Sequence, residues 1–423
     1  MHQEIIAILI FVVVIGAIIT EKVHRTAAAL AGVVLLLLFG ILDVNSAIGY
    51  VDFNTIGVLV GMMLFVAVIK HSGLFEYISI KAAKLSHGDP WKIMVAFIVI
   101  TAVCSAFLDN VTTVLLMGPM TITLAKMLKI DPVPVLLGQI LASNIGGTMT
   151  MIGDPPNIMI GSAAGLTFAD FLENTGVACV IGLVAMIFAM KFLYKKHLNA
   201  DAEAVQEIME LDEKKAIVDP RLMKEAIVMI VLIIIAFMVH DRFGIESCAV
   251  ALTAAAIMMV IGKQDIEEVV MDVEWPTILF FFGLFIVVGG MVETGVIKQL
   301  ATMIMDLSSG HPIVMMLILL WASAILSAIL DNIPFVATLI PLIIAMGKQG
   351  MDITPLWWAI SLGACLGGNG TQIGASANVV LCGIAGKNGY PISFNEYTKV
   401  GFPMMILTVF IAMIFLLVRF AIL

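Results

Sequence analysis

Shifted by about 222 positions, the sequence matches itself. V-D-F-N-T-I from Val51 falls on V-E-W-P-T-I from Val273, and S-A-F-L-D-N from Ser105 falls on S-A-I-L-D-N from Ser327. With one residue less, I-G-G-T-M-T-M-I-G-D-P-P-N, ending at Asn157, falls on L-G-G-N-G-T-Q-I-G-A-S-A-N, ending at Asn378. With one more, Phe171 and Thr175 fall on Phe394 and Thr398. Chance does not hold such a register over so long a stretch, so the chain is two copies of one unit.

What each copy can be follows from its solvent. Of the 423 residues, 61% are hydrophobic and only 13% charged, more apolar surface than a water-soluble core of that size can hide. Lipid is the expected solvent. A helix needs about 20 apolar residues to cross a bilayer, and the runs that approach this are residues 5–20, 27–42, 56–69, 177–193, 226–239, 249–261, 278–292 and 403–418. The first resembles a signal peptide, but Glu4 precedes it and no small-residue cleavage site comes before Glu21 and Lys22, so it is read as a spanning helix. Residues 91–129 are apolar but broken by Asp109 and Asn110, and 133–166 are broken by Gly146, Gly147, Gly153, Asp154, Pro155 and Pro156. Irregular backbone at membrane depth survives only beside protein or a water-filled cavity. The first segment therefore reads as a re-entrant hairpin and the second as a discontinuous helix.

Each copy then has five spanning helices, and an odd number makes the copies face opposite ways. The expected fold is all-α and polytopic, built from two inverted repeats, the arrangement of secondary transporters. Repeat one is 1–197, with residues 1–89 expected as scaffold and 90–197 as transport domain. A polar linker, 198–222, leads to repeat two, 223–423, in which 223–310 is scaffold and 311–423 transport domain. Residues 74–85 and 296–307 hold matching positions and are amphipathic enough to lie along the membrane surface.

Basic residues set the orientation. Placing the linker, from Lys195 to Lys224, in the cytoplasm puts Lys22, Arg25, Lys70, Lys84, Lys129, Lys191 and Lys263 on the same side. A multi-pass protein of the plasma (inner) membrane is expected, with both termini non-cytoplasmic. The net charge of -9 owes most to one acidic stretch, Asp201 to Glu213, and no basic patch suits nucleic acid. The five cysteines form no C-x-x-C pair, so neither a disulfide framework nor a zinc site is indicated. No G-x-x-x-x-G-K-[ST], H-E-x-x-H or G-x-S-x-G occurs, which leaves ATP-driven transport by this chain and enzymatic hydrolysis without support.

The chemistry is expected at the breaks. Asp109 and Asp331 each stand before an Asn, Asn110 and Asn332, in the middle of an apolar hairpin. A carboxylate at the bilayer centre costs about 2.5–3.5 kcal/mol, so it should face a partner or a bound cation; the plainer reading of each is a helix N-cap. Ser105 and Ser327 lie one turn earlier and add a hydroxyl, or serve only as small packing residues. Gly153 and Gly374 let the backbone unwind and expose carbonyl oxygens. Asp154 has no acidic mate, since Ala375 stands in its place. Asn157 and Asn378 match between copies and offer both donor and acceptor to a ligand or to the unwound backbone. Asn144, Asn369 and Thr371 lie in the same unwound stretches. Two sodium sites are expected, at Asp109, Asn110 and Gly153 and at Asp331, Asn332 and Gly374. No resident cofactor is expected, only sodium or a proton as coupling ion.

At these residues the sequence resembles the ion transporter superfamily, in the branch that contains the arsenite permease ArsB, the sodium/proton antiporter NhaD and the melanosomal P protein. N-I-G-G-T-M-T-M-I-G-D-P-P-N, L-D-N-V-T-T and L-G-G-N-G-T-Q-I-G-A-S-A-N-V-V carry the resemblance, which covers nearly the whole chain. It implies an elevator dimer, a homodimer in which a transport domain moves against a scaffold. In the related divalent-anion/sodium symporters the hairpin tips read Ser-Asn-Thr; here Asp109, Asn110 and Val111, and Asp331, Asn332 and Ile333, take those places. That departure weakens a dicarboxylate substrate and favours a cation or proton at each tip. The resemblance puts forward efflux of arsenite or antimonite first, which would bring in a separate ATPase subunit, then sodium/proton antiport, then another small anion.

Overall fold

Many of the helices begin at a side chain that accepts a hydrogen bond from their own first turn. Asp43, Asp52, Asp89, Asp109, Asp219, Asp265, Asp331 and Ser393 each accept from a free backbone N–H of the first turn. At the two hairpin tips, where lipid offers no partner, the Asp109 and Asp331 caps satisfy amides of the first turn. The computed structural model describes residues 2–20, 22–194, 200–307 and 311–422. Glu21, the first linker residues from Lys195, and the expected boundaries at 197 and 310 lie outside the described residues.

Repeat one runs through α1 (His2–Thr20), α2 (Arg25–Leu38), α3 (Val44–Gly49), α4 (Phe53–Lys70) and the short arm α5 (Leu74–Leu85). Its hairpin is α6 (Pro90–Phe107) and α7 (Asn110–Met127), and its broken helix is α8 (Val133–Thr148) and α9 (Pro155–Ala164). It closes with α10 (Phe168–Phe171), a π turn over Leu172–Gly176, and α11 (Val177–Tyr194). The linker carries α12 (Ala202–Glu210). Repeat two follows the same order: α13 (Pro220–Val239), α14 (Ser247–Gly262), α15 (Ile266–Met271), α16 (Trp275–Glu293) and arm α17 (Val296–Leu307). Then come hairpin α18 (Pro312–Ser327) and α19 (Asn332–Lys348), broken helix α20 (Thr354–Gly367) and α21 (Ser376–Lys387), and closing helix α22 (Phe394–Leu417). Among the described residues, seven helices are long and apolar enough to cross a membrane, and shorter apolar helices add to them.

The repeats are interleaved, and their contacts obey the same internal symmetry as the sequence. Helix α2 packs on α16 and α14 on α4, so each pair takes one helix from each copy. Gly61 meets the Ala251 backbone, and its repeat mate Gly283 meets Ala29, the mate of Ala251. Small residues at matched places let both pairs close, which is how helices associate in lipid. The hairpins repeat the device, with Gly146 against Ala102 and Gly367 against Ala324.

Three segments differ from their sequence reading. Helix α22 begins well before the apolar run at 403, because one face of Phe394–Phe402 is packed: Tyr397 is fully buried and Gly401 abuts the Asn369 carbonyl, while Phe394 and Phe402 stay exposed. The helix before 177 likewise extends back to Phe168, started by a capping box between Thr167 and Asp170. The linker is docked. Ala204 and Ile208 are buried, a Cβ on Gly88 would strike Val205, and Lys84 of α5 reaches the Leu211 carbonyl and the Glu213 carboxylate, both at 2.7 Å.

Candidate functional site at the hairpin tips

The two breaks in the broken helices cross at the centre of the molecule and hold each other by amides. Asn144 donates to Asn369 Oδ1 at 2.9 Å and to Asn378 Oδ1 at 2.8 Å, and accepts from Asn110 Nδ2 at 3.2 Å. Asn157 donates to the Thr148 and Thr150 carbonyls at 3.2 and 2.9 Å, and Asn378 does the same to Gly368 and Thr371 at 2.7 and 2.9 Å. Each thus replaces the helical bonds that its own copy's unwound turn gives up. Asn157 Oδ1 accepts from Ser361 at 2.7 Å, tying copy one to copy two a second time. Asn110, Asn144, Asn157, Asn332, Asn369 and Asn378 are all buried.

Both tip aspartates are N-caps. Asp109 accepts from the Thr112 amide at 2.9 Å and from its hydroxyl; Asp331 accepts from the Ile333 amide at 3.0 Å. Asn332 donates to both oxygens of Asp154, at 3.4 and 3.2 Å, so the acid that copy two lacks is bonded to copy two's tip. The hydroxyls of Ser105 and Ser327 are engaged with the Ser143 and Ala364 carbonyls, each at 2.6 Å, and pin hairpin to broken helix. Their own carbonyls point to the unwound glycines. A Cβ on Gly153 would lie 2.6 Å from the Ser105 oxygen and 2.7 Å from that of Gly147; on Gly374 it would lie 2.8 Å from Ser327 and 2.7 Å from Gly368. Thr371 donates its hydroxyl to the Ala328 carbonyl, as Thr150 does to Ala106.

A cavity of about 20 Å³ lies where the tips meet, lined by Asp109, Asn110, Asp154, Asn332, Arg25, Glu274, Thr277 and Ser376 among others. Arg25, Glu274, Thr277 and Ser376 are additions to the residues expected from the sequence. Arg25 reads as a cation flanking a span, and only the fold carries it to the tip. Glu274 had a signal: it matches Asp52 in the aligned V-D-F and V-E-W. In both places the acid accepts from a threonine three residues on, Thr55 at 2.6 Å and Thr277 at 3.1 Å.

Around this centre the copies also differ in the space beside each tip. Between α1, the second hairpin and α21 lies a cavity of about 560 Å³, walled by Phe11, Ile15, Ile18, Phe335, Leu339 and Val380. At the mated place, between α13 and the first hairpin, Phe107, Phe168 and Phe237 stack with centroids 6.4 and 6.2 Å apart. One side of the tip site is therefore approached by a large cavity while aromatic rings fill the mated space.

The comparisons with known proteins agree with this architecture. The CitMHS family, described as citrate transporter, matches residues 15–363. The uncharacterized transporter Rv2684 of Mycobacterium tuberculosis is 40% identical over 430 residues, covering 100% of both chains. The human P protein is 32% identical over 501 residues, covering 98% of this chain and 60% of its own length. Among solved structures, the YdaH transporter of Alcanivorax borkumensis, described as having an unusual topology, is similar with a TM-score of 0.59 at 15% identity, over 95% of this chain and 99% of that one. A family match over most of the chain and relatives alike from end to end leave one conclusion: the chain belongs to the CitMHS family of the ion transporter superfamily, and it is a multi-pass membrane transporter.

Proposed function

We propose that this chain is a cation-coupled secondary transporter of a small inorganic ion, working by an elevator motion, with sodium/proton exchange the reading its site fits best. The observation that carries it is the small tip cavity, where Asp109, Asp154 and Glu274 stand against the single guanidinium of Arg25. A cavity of about 20 Å³ suits a water-sized ligand, and an excess of carboxylates favours a cation or a proton over an anion. A tricarboxylate, the solute in the family's description, is far larger. Trivalent arsenic remains the second reading, but it seeks thiols, and neither Cys104 nor Cys365 lines the cavity. Cys365 instead faces Asn157 Oδ1 at 3.7 Å.

In this reading the two cation sites are Asp109, Asn110 and Gly153, and Asp331, Asn332 and Gly374. Convergence of the Ser105 and Gly147 carbonyls on Gly153, and of Ser327 and Gly368 on Gly374, supports them, because hard cations take oxygen ligands. The hairpins, broken helices and closing helices form the moving domain, and α1–α4 with α13–α16 form the scaffold, with α5 and α17 as connecting arms. Two copies pair through their scaffolds. The basic-residue bias supports a cytoplasmic Arg25 end of α2.

Purified protein in proteoliposomes tests this. Under an imposed pH gradient, sodium uptake is expected, and Asp109→Asn or Asp331→Asn should abolish it while the protein remains monodisperse. Gradient-driven flux of arsenite or citrate without sodium flux would replace the cation reading. Normal sodium flux in both variants would remove the tip sites.

A further inference from the structure

Arg25 belongs to the first turn of α2, yet it bonds the tip of the other copy's hairpin. Its Nη1 donates to Asp331 Oδ2 at 3.1 Å and to Ser376 Oγ at 2.7 Å, while Ser376 also donates to Asp331 at 3.0 Å. Arg25 and Ser376 line both the small tip cavity and the 560 Å³ cavity, and Asp331 lines the larger one. The three side chains are thus the partition between them. On its other side the guanidinium is held by α16: Nη2 donates to Thr277 at 3.1 Å, and the Phe280 ring centroid lies 5.2 Å away. When Asp331 moves off, Arg25 keeps these contacts and stays on the scaffold.

The repeat shows that the device is one-sided. The mate of Arg25, 222 positions on, is Ser247, the first residue of α14, whose hydroxyl donates to Asn54 at 3.2 Å. The mate of Ser376 is Pro155, which has no hydroxyl. The tip of the first hairpin, Asp109, therefore has no guanidinium to close on at the opposite end of the scaffold. We propose that the Arg25–Asp331–Ser376 cluster is a charged gate that closes the transport site from the large cavity, and that its mated face carries no charged gate. Entry from the Arg25 side requires an ion pair to break; entry from the other requires neutral-donor hydrogen bonds, as from Ser162 to Asp52, and aromatic contacts to separate. Any cation that settles on Asp331 from the large cavity must displace a tethered one.

The inference rests on the tip cavity being the transport site, and its test reads access rather than flux, so the two can fail separately. In full-length protein with its native cysteines replaced, Met63→Cys places a thiol on the tip cavity. Its reaction with a charged methanethiosulfonate is measured in detergent. Arg25→Ser, the residue of the mated position, is expected to raise the rate by about tenfold, the change that ~1.4 kcal/mol makes in an opening equilibrium. Asp331→Asn should raise it similarly, Arg25→Lys much less, and the exchange Arg25→Asp with Asp331→Arg should restore slow labelling. Should Arg25→Ser fail to fold, Asp331→Asn against the exchanged pair carries the test. Unchanged labelling in the single variants, or an exchanged pair as fast as they are, overturns the gate.

Discussion

Asn144 illustrates what a single buried amide does here. Its three amide partners, Asn110, Asn369 and Asn378, come from three different helical segments, and it is fully buried. Truncation leaves those partners without a bond in a place water does not freely reach, which costs about 1–3 kcal/mol per buried group. Asn144→Ala should lower the unfolding temperature clearly, measured by a thermal-shift assay in detergent, whereas the exposed Asn388→Ala should leave it nearly unchanged. The glycines of the breaks act differently. A side chain at Gly153 collides with two backbone carbonyls, which cannot swing aside as a flexible side chain can, so Gly153→Ala should reduce folded yield in size-exclusion chromatography more than Gly383→Ala, where nothing lies within 4 Å. The motif that drew attention to these residues was legible in the sequence. Of the two partners open to Asn157 and Asn378, a ligand or the unwound backbone, the structure shows their amides on their own copies' unwound carbonyls; the bonds between copies were not legible.

Among the elements, the arms α5 and α17 are mates in sequence but not in surroundings. Helix α5 carries the docked linker: Gly73, at φ 78°, sits so close to the strap that a Cβ would lie 2.0 Å from the Ala216 carbonyl oxygen, and the Val218 amide donates to the Ser72 carbonyl at 3.1 Å. Gly73→Ala incurs both the left-handed backbone, roughly 1 kcal/mol, and this collision, and is expected to lift the strap, seen as faster amide exchange over 202–216. The Lys84–Glu213 pair adds a pH dependence. The Lys84 ammonium, as a hydrogen-bond donor, holds the Glu213 carboxyl below its ordinary value of 4.5. A depressed carboxylate contributes to docking at neutral pH, and the contribution is lost as pH falls below 4.5. Exchange over the strap should therefore rise on acidification, with Glu213→Gln showing less change. Nothing in the linker's polar, acidic sequence announces this, because only two of its apolar side chains over 203–220, Ala204 and Ile208, are buried, and backbone hydrogen bonds and one ion pair supply more of the docking.

For the whole molecule, the proposed division into scaffold and moving domain makes its own prediction. At the end opposite Arg25, Asn54 of α4 donates to Ser162 of α9 at 3.3 Å, and Ser162 donates to Asp52 at 3.0 Å. These are polar contacts across the boundary between the two domains, of a kind that can exchange partners as they slide. Asn54→Cys combined with Ser162→Cys, bridged by mercuric ion, should stop flux in proteoliposomes, and excess thiol should restore it. A bridged protein that still transports would show that the domains do not move past each other.

Residue pattern was enough to establish the two-copy architecture, the hairpins, both breaks and the residues placed at them. It sufficed because lipid allows few ways to satisfy a backbone, and each departure from an apolar helix leaves a visible mark in residue type, twice over. Folding in three dimensions was needed to bring Arg25 and Glu274 to the tips, to bond Asp154 to Asn332, to dock the linker as a strap, and to give one side of the site a large cavity. Those outcomes depend on contacts between copies, which a pattern read within each copy does not contain. They depend also on the facing state, which two matched halves leave undecided until they pack unequally.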